Sequence, residues 1–302
     1  MPPHGLYWHD DFSGVCCLGA TEARRGGGPT RRCPIGRIRS GSIDPVSGFV
    51  FDLDGVLWHG TDPIMSACEA VSRLIEAEHR VLFATNNSAA TVATQEAKLG
   101  RFGIDASGRV LSSAMAAASL VEPGERVFVL GGAGIEEAVL ARGASCVPVA
   151  DPDAGLPVLD AVIVGLDFDL NYDRLRMAVT AVRNGARFIG TNHDPTYPTE
   201  HGLWAGGGSI VAAVATSAEI APVVAGKPHQ PMADLAVARI GPDALMVGDR
   251  NDTDGDFARS AGFRFAMVLS GVTSLAEAEM LEPAPDLIAD DAAAVVASVV
   301  GL

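Results

Sequence analysis

The chain has 302 residues, of which 48% are hydrophobic, and a formal net charge of -15. This length suits one large domain or two linked ones, and it can bury a packed core without disulfides. The acidic balance argues against nucleic acid or an anionic membrane as the partner, and it favours a metal cation at any site for an anionic substrate. No apolar run reaches the roughly 20 residues that a membrane span needs.

The first 46 residues differ in composition from the rest of the chain. Arginines, glycines and prolines occur there without a sustained hydrophobic period, which predicts a disordered N-terminal extension over residues 1–46. Neither arginine pair, Arg24-Arg25 or Arg31-Arg32, is followed by the apolar segment of an export signal. The five cysteines show no zinc-like spacing. These features predict a cytoplasmic protein.

From residue 48 onward, strand-like apolar runs alternate with amphipathic helical stretches. The predicted strands are 49–53, 80–84, 126–130, 161–165, 187–189, 223–225, 245–247, 265–269 and a short one near 287–288. The predicted helices include 66–79, 89–102, 112–121 and 172–184. This alternation predicts an α/β fold with a doubly wound, Rossmann-like parallel sheet covered by helices on both faces. About nine strands exceed the needs of one such sheet, so two bodies are expected.

Polar groups follow four of the predicted strands in chain order. They are Asp52 and Asp54, then Thr85-Asn86-Asn87, then Gly226-Lys227-Pro228, then Gly248-Asp249 with Asp254 five residues on. Ligands of doubly wound sheets bind at the carboxyl ends of the strands. Each cluster alone is an ordinary turn or helix cap, but the ordered set of four predicts a single site.

The first pair indicates phosphoryl transfer through an aspartyl phosphate. Asp52, at the strand end, is the predicted nucleophile. Asp54, on the turning chain, is the predicted acid that protonates the leaving oxygen and then the base that activates water. Lys227 can reach the phosphoryl oxygens, with the Thr85 hydroxyl and the Asn86 amide on their other side.

Several carboxylates around a phosphate require a cation, and Mg²⁺ prefers oxygen ligands. Asp52 and Asp249 can supply carboxylate oxygens, and the backbone carbonyl of Asp54 is a further predicted ligand. Asp254 is the preferred outer partner among the acids that follow Asp249.

These motifs, Asp-Leu-Asp-Gly-Val-Leu-Trp, Thr-Asn-Asn, Gly-Lys-Pro and Gly-Asp-Arg-x-Asp-Thr-Asp, resemble the four ordered motifs of the haloacid dehalogenase superfamily. The long stretch between the second and third motifs resembles its branch with a large α/β cap, which includes pyridoxal, phosphoglycolate, glycerol-3-phosphate and nitrophenyl phosphatases. The resemblance implies a core of residues 48–126 and 221–302 with an inserted cap at 127–220. It also implies Mg²⁺ held by Asp52, the Asp54 carbonyl and Asp249. The phosphate-binding residues that it implies are Thr85, Asn86, Asn87 and Lys227.

The polar segment 191–201 of the implied cap carries candidates to contact the leaving group, namely His193, Asp194 and Tyr197, although a structural loop is an equal alternative. In pyridoxal phosphatase, which this segment resembles, a histidine that contacts substrate stands just before the matching second proline. This chain has Tyr197 there, which weakens the case for pyridoxal phosphate. The segment is most similar to glycerol-3-phosphate phosphatases, with phosphoglycolate phosphatases next. Relatives of this branch often dimerise through the cap, which implies a possible homodimer.

The sequence therefore predicts a Mg²⁺-dependent phosphomonoester hydrolase of a small phosphorylated metabolite, with glycerol 3-phosphate or 2-phosphoglycolate favoured. A dehalogenase of the same fold is disfavoured, because carbon-halogen cleavage needs neither a carboxylate at Asp54 nor Mg²⁺. A non-enzymatic phosphate- or metal-binding regulator would be expected to lack at least one of Asp52, Asp54, Lys227 and Asp249. The glycines at 131–134 lack the spacing of a dinucleotide site and predict a tight strand-to-helix turn.

Overall fold

A computed structural model describes residues 36–149, 157–199 and 201–301. In chain order its strands are β1 (Ile38–Gly41), β2 (Gly48–Phe51), β3 (Trp58–His59), β4 (Asp62–Pro63), β5 (Arg80–Thr85), β6 (Val110–Ser112), β7 (Arg126–Leu130), β8 (Ser145–Cys146), β9 (Ala161–Val164), β10 (Arg187–Gly190), β11 (Thr196–Thr199), β12 (Gly202–Ala205), β13 (Val223–Val224), β14 (Ala244–Gly248), β15 (Arg264–Val268) and β16 (Leu287–Ala289). The helices are α1 (Met65–Glu76), α2 (Val92–Arg101), α3 (Ser113–Ala118), α4 (Ala133–Ala141), α5 (Tyr172–Arg183), α6 (Gly207–Ala218), α7 (Gln230–Ile240), α8 (Asp256–Ala261), α9 (Leu275–Ala278) and α10 (Ala292–Val300).

The large sheet has seven strands in the order β1-β16-β15-β14-β2-β5-β6. All neighbours pair in parallel except β1, which runs antiparallel to β16 at one edge. The central strands β2 and β14 are buried along their whole length, as expected for strands with helices on both faces. The predicted α/β fold with a parallel sheet is confirmed.

A second parallel sheet has five strands in the order β13-β10-β9-β7-β8. Its strands come from the chain between β7 and β13, together called here the inserted segment (residues 126–224). The inserted segment also carries a hairpin of β11 and β12 beside α6. The predicted cap boundaries, residues 127 and 220, lie within a few residues of the start of β7 and the end of β13. The division into a core domain and a cap domain stays a prediction. The edge strand β13 pairs with β10 in the inserted segment, beyond the predicted end of the cap at residue 220.

The predicted disordered extension reaches too far along the chain. Residues 1–35 lie outside the described residues, but Ile38–Gly41 form a strand that pairs with β16. Asp290 accepts hydrogen bonds from Arg37 N and Arg39 Nε, and this fixes the strand at the sheet edge. All four residues of β1 are exposed, so they show no apolar alternation from which a strand could be predicted.

The glycine-rich turn before α4 is a packing feature. Gly134 N donates to Ala89 O at 3.0 Å, and a Cβ at Gly134 would lie 2.2 Å from Ala90 O. This close backbone approach requires glycine, in agreement with the predicted strand-to-helix turn. Within the residues that the structure describes, no helix combines the length and apolar character that crossing a membrane would require.

Candidate active site

The carboxyl ends of β5, β2 and β14 lie side by side because these strands are consecutive neighbours in the large sheet. The loops that follow them, with the loop after β13, line a cavity of about 810 Å³. The predicted site residues that line it are Asp52, Asp54, Thr85, Asn86, Asn87, Tyr197, Lys227 and Asp249. Asp254, the predicted outer acid, is only 1% exposed and lies behind the cavity wall.

Lys227 links two of the predicted acids. Its Nζ lies 2.6 Å from Asp52 Oδ1 and 2.7 Å from Asp254 Oδ1, and only 3% of the residue is exposed. Burial works to lower the pKa of Lys227, but the two carboxylates outweigh it, so the pKa is raised and the ammonium stays charged. Burial also raises the pKa of Asp52, against the attraction of Lys227. One buried cation is therefore shared by the predicted nucleophile and the predicted outer acid.

The chain after β2 turns directly beyond the second acid of the first motif. Gly55 has a φ of +80°, a left-handed conformation that lets the chain reverse directly after Asp54. Asp54 is exposed to the cavity, and its Oδ1 accepts a hydrogen bond from Trp58 Nε1 at 2.8 Å. Although part of the residue is exposed, desolvation of its carboxyl group by the surrounding protein raises the pKa of Asp54. The positive charge of Lys98 and the hydrogen bond from Trp58 oppose this shift. A raised pKa favours the protonated form that a general acid needs.

Asp249 is oriented by the chain that follows β15. Its Oδ2 accepts a hydrogen bond from Val272 N at 2.9 Å, and its backbone oxygen accepts one from Thr273 Oγ1. Burial, reinforced by the negative charges of Asp52 and Asp254, raises the pKa of Asp249 to about 7. Carboxylate oxygens of the three acids all lie within 4.8 Å of one another. This set of oxygen donors fits Mg²⁺.

Asn86 connects three loops at the cavity wall. Its Nδ2 donates to Asp194 Oδ2 at 3.1 Å and to Lys227 O at 3.0 Å, and its Oδ1 accepts from Lys227 N at 2.9 Å. These contacts take up both hydrogens of the side-chain amide. The side-chain amide of Asn86 is therefore already engaged in this structure, and the predicted phosphate contact of Asn86 stays a prediction. The neighbouring Thr85 Oγ1 accepts a hydrogen bond from Asn87 N at 3.1 Å.

Tyr197 is the residue of the β11–β12 hairpin that faces the first motif. It is half-buried, it hydrogen-bonds with Asn87, and its ring meets Phe168 edge-on at 5.9 Å. Burial, followed by the negative charge of Asp54, raises the pKa of the Tyr197 phenol, which stays a hydrogen-bond donor. The third candidate of this region, His193, is exposed, and its ring lies against that of His229.

Comparison with known proteins identifies the family. A model described as haloacid dehalogenase-like hydrolase matches residues 49–145, and a second HAD-hydrolase-like model matches residues 224–295. The chain is 36% identical over 233 residues to the 5'-nucleotidase YutF of Bacillus subtilis, covering 75% of this chain and 88% of that protein. The chain belongs to the haloacid dehalogenase-like hydrolases.

Relatives of this haloacid dehalogenase-like hydrolase include a D-glycerol 3-phosphate phosphatase of Mycobacterium tuberculosis. It is 38% identical over 240 residues, and the match covers 78% of this chain and 66% of the mycobacterial protein. A crystal structure of glycerol phosphate phosphatase from the same organism in complex with magnesium has a TM-score of 0.74 and 37% identity, covering 83% of this chain and 76% of that one. The predicted phosphatase class and the predicted Mg²⁺ cofactor are confirmed.

Mg²⁺ should raise the thermal midpoint of this phosphatase, because a ligand that binds only the folded state stabilises it. At 100 times the dissociation constant the gain is about 2.7 kcal/mol, which corresponds to roughly 5–10 °C for a chain of this size. Differential scanning fluorimetry with and without Mg²⁺ measures the shift. We expect Asp249→Asn to lose most of this shift and Asp256→Asn, at a half-buried acid paired with Arg259, to retain it. A full shift in Asp249→Asn would remove this residue from the metal site.

The sequence did not single out two side chains that bear on the site. Trp58 lies in the first motif, but its residue type predicts no role there, and Lys98 on α2 gives no sequence signal at all. The sequence predicts Asp194 as a candidate to contact the leaving group, and the structure also places it against Asn86.

Proposed function

We propose that the chain hydrolyses small phosphate monoesters by two displacements at phosphorus. In the first, a carboxylate oxygen of Asp52 bonds to phosphorus while the bond from phosphorus to the leaving oxygen breaks. Protonated Asp54 gives its proton to that leaving oxygen, and the free alcohol departs. The observation that carries this proposal is the convergence of Asp52 and Asp54 with Lys227 and Asp249 in one cavity.

The second displacement returns the enzyme to its starting state. Asp54, now ionised, takes a proton from a water that attacks the phosphorus of the aspartyl phosphate. The bond between phosphorus and Asp52 then breaks, and inorganic phosphate is released. Lys227 stays charged throughout and compensates negative charge on the phosphoryl oxygens. Mg²⁺, held through Asp52, Asp249 and the proposed Asp54 carbonyl, would neutralise further charge on the phosphate and Asp52.

We propose an uncharged polyhydroxy alcohol as the leaving group. Among the described residues that line the cavity, two are permanent cations, Lys227 and Arg250, and both are already paired, Lys227 with Asp52 and Arg250 with Asp252. Mg²⁺ would add positive charge at Asp52 and Asp249, where the phosphate binds, whereas the inserted segment presents the Asp194 carboxylate to the cavity. That carboxylate would repel a second anionic group on the substrate. This charge balance favours glycerol 3-phosphate over 2-phosphoglycolate, whose leaving group carries a carboxylate.

The hydroxyl groups of such an alcohol have partners on the inserted segment. The Asp194 carboxylate can accept a hydrogen bond, and the protonated phenol of Tyr197 can donate one. Both residues line the cavity. The relatives named for glycerol 3-phosphate and for 5'-nucleotides also release alcohols without a carboxylate.

Steady-state kinetics with Mg²⁺ tests the substrate class. The expected kcat/KM for glycerol 3-phosphate exceeds that for 2-phosphoglycolate by about tenfold or more, equivalent to about 1.4 kcal/mol of differential binding. Asp194→Asn removes one negative charge but keeps an oxygen that can accept a hydrogen bond from Asn86. We therefore expect it to reduce the difference in kcat/KM between glycerol 3-phosphate and 2-phosphoglycolate. Equal or higher kcat/KM for 2-phosphoglycolate in the unmodified protein would reject the proposed leaving group, while leaving the phosphatase class intact.

We also propose that the protein acts in the cytoplasm, which is supported by Cys68 and Cys146, both free thiols. A homodimer formed through the inserted segment stays a prediction.

A further inference from the structure

Trp58 touches the proposed general acid from behind the cavity wall. The indole is 1% exposed and packs against Phe102, with ring centroids 5.7 Å apart. Its Nε1 donates to Asp54 Oδ1 at 2.8 Å. A tryptophan placed in this way fills space as any large apolar side chain would, but its N–H also fixes the direction of one carboxylate oxygen.

Lys98 on α2 contacts the ring of the same indole. Its ammonium lies 3.9 Å from the centroid of the Trp58 ring and donates to Gly60 O at 3.0 Å. A cation over the ring face is attracted by the ring electrons. Because Gly60 lies between β3 and β4, this one side chain ties α2 to the short hairpin that carries Trp58. The positive charge also acts on Asp54 directly.

Asp54 shares its cavity with the groups that react. Asp52, Asp54 and Tyr197 of the inserted segment all line this cavity, and the charge of Asp54 acts on both of the other residues. The carboxyl group therefore faces the same space as the proposed nucleophile and a residue proposed to contact the leaving group. From this position it can reach the leaving oxygen and, later, the attacking water.

We propose that Trp58 is a positioning residue for Asp54, and that Lys98 holds Trp58 in place for this task. This inference rests on the proposed acid and base role of Asp54. Trp58 is not among the described residues that line the cavity, so its effect on turnover passes through the Asp54 carboxyl group that it contacts. Loss of the indole N–H frees the carboxylate to rotate away from the leaving oxygen.

Trp58→Phe is the matched test because it keeps an aromatic ring and removes the N–H donor. With glycerol 3-phosphate and Mg²⁺, we expect kcat to fall about tenfold while KM stays within twofold, since a hydrogen bond to a charged group is lost but no substrate contact is. The burst of p-nitrophenol from p-nitrophenyl phosphate should change by less than twofold, because that leaving group needs little protonation. A fall in both reactions to the same degree would contradict the positioning role.

A double-mutant cycle with Asp54→Asn separates positioning from general damage. Single-turnover rates are measured with enzyme in excess. The rate of Trp58→Phe is compared with that of the wild type, and the rate of the double variant Trp58→Phe with Asp54→Asn is compared with that of Asp54→Asn. If Trp58 acts through Asp54, the second substitution should change the rate of Asp54→Asn by less than twofold. An equal loss in both backgrounds would overturn the inference.

Asp54→Asn alone tests the role on which the inference rests. We expect about a 100-fold or greater loss of glycerol 3-phosphate turnover, the scale of general acid-base catalysis. Wild-type turnover in this variant would reject the acid and base role, and the inference with it. A large loss in Asp54→Asn with wild-type kcat in Trp58→Phe would reject the inference alone. If circular dichroism shows that Trp58→Phe does not fold, Lys98→Met takes its place in the double-mutant cycle. We then expect a smaller loss of single-turnover rate, again only when Asp54 is present.

Discussion

Asp52→Asn should reduce phosphatase turnover by at least about 1,000-fold, the scale seen when a covalent nucleophile is removed. The amide keeps the size and shape of the carboxylate, so the packing after β2 should be retained. It lacks the negative charge that attacks phosphorus, and it offers Mg²⁺ a weaker ligand. Release of inorganic phosphate from glycerol 3-phosphate and from p-nitrophenyl phosphate measures the loss.

Two controls sharpen the test of Asp52. Asp256→Asn removes a half-buried acid of the same charge, which pairs with Arg259, and should keep wild-type turnover. Intact mass after rapid acid quench should show a phosphorylated species in the unmodified protein and none in Asp52→Asn. Unchanged turnover in Asp52→Asn, or a phosphorylated species of equal amount, would reject Asp52 as the nucleophile.

Lys227→Met should lower both stability and activity, since it leaves two carboxylates near one another without their shared cation. Breaking a buried ion pair by removing one partner costs about 3–5 kcal/mol. Lys227 is 3% exposed and contacts both Asp52 and Asp254, so the cost belongs at the upper part of this range. Urea denaturation without Mg²⁺ measures the free energy of unfolding. Turnover should fall by about 100-fold or more, because a cation directed at the phosphoryl oxygens is lost.

The double variant Lys227→Met with Asp254→Asn separates the two effects. Removing the charge of Asp254 relieves part of the repulsion and should restore part of the free energy of unfolding. It should not restore turnover, because no cation returns to the cavity. Adding Mg²⁺ should likewise reduce the stability loss of Lys227→Met. A Lys227→Met protein of wild-type stability without Mg²⁺ would show that the paired carboxylates are not held as described.

The parts of the fold that sequence alone predicts are those with strong local patterns. The buried apolar runs at β2, β5 and β14 gave their positions to within a few residues, and their polar ends predicted where the cavity lies. By contrast, β1 has four exposed residues and the hairpin strand β12 has four as well, so neither shows the alternation of a half-buried strand.

The candidate site shows the same division at the level of side chains. Residue types and strand ends were enough to nominate Asp52, Lys227 and Asp249. Which atoms they contact depends on pairings across the chain, such as that between Asn86 and Asp194, which are 108 residues apart. Periodicity and spacing carry no information about such contacts, so the sequence does not predict that the Asn86 side chain is engaged with Asp194 and Lys227.

The central strands β2 and β14 of the large sheet pair with each other although almost 200 residues of chain separate them. During synthesis from the ribosome, β2 with Asp52 emerges long before β14 and Asp249 exist. Until β14 has been synthesised, the edge of β2 that will pair with β14 has no partner strand. Catalytic competence is therefore gained in one late step, and a truncated or nicked product that lacks β14 would carry the proposed nucleophile without any means to use it.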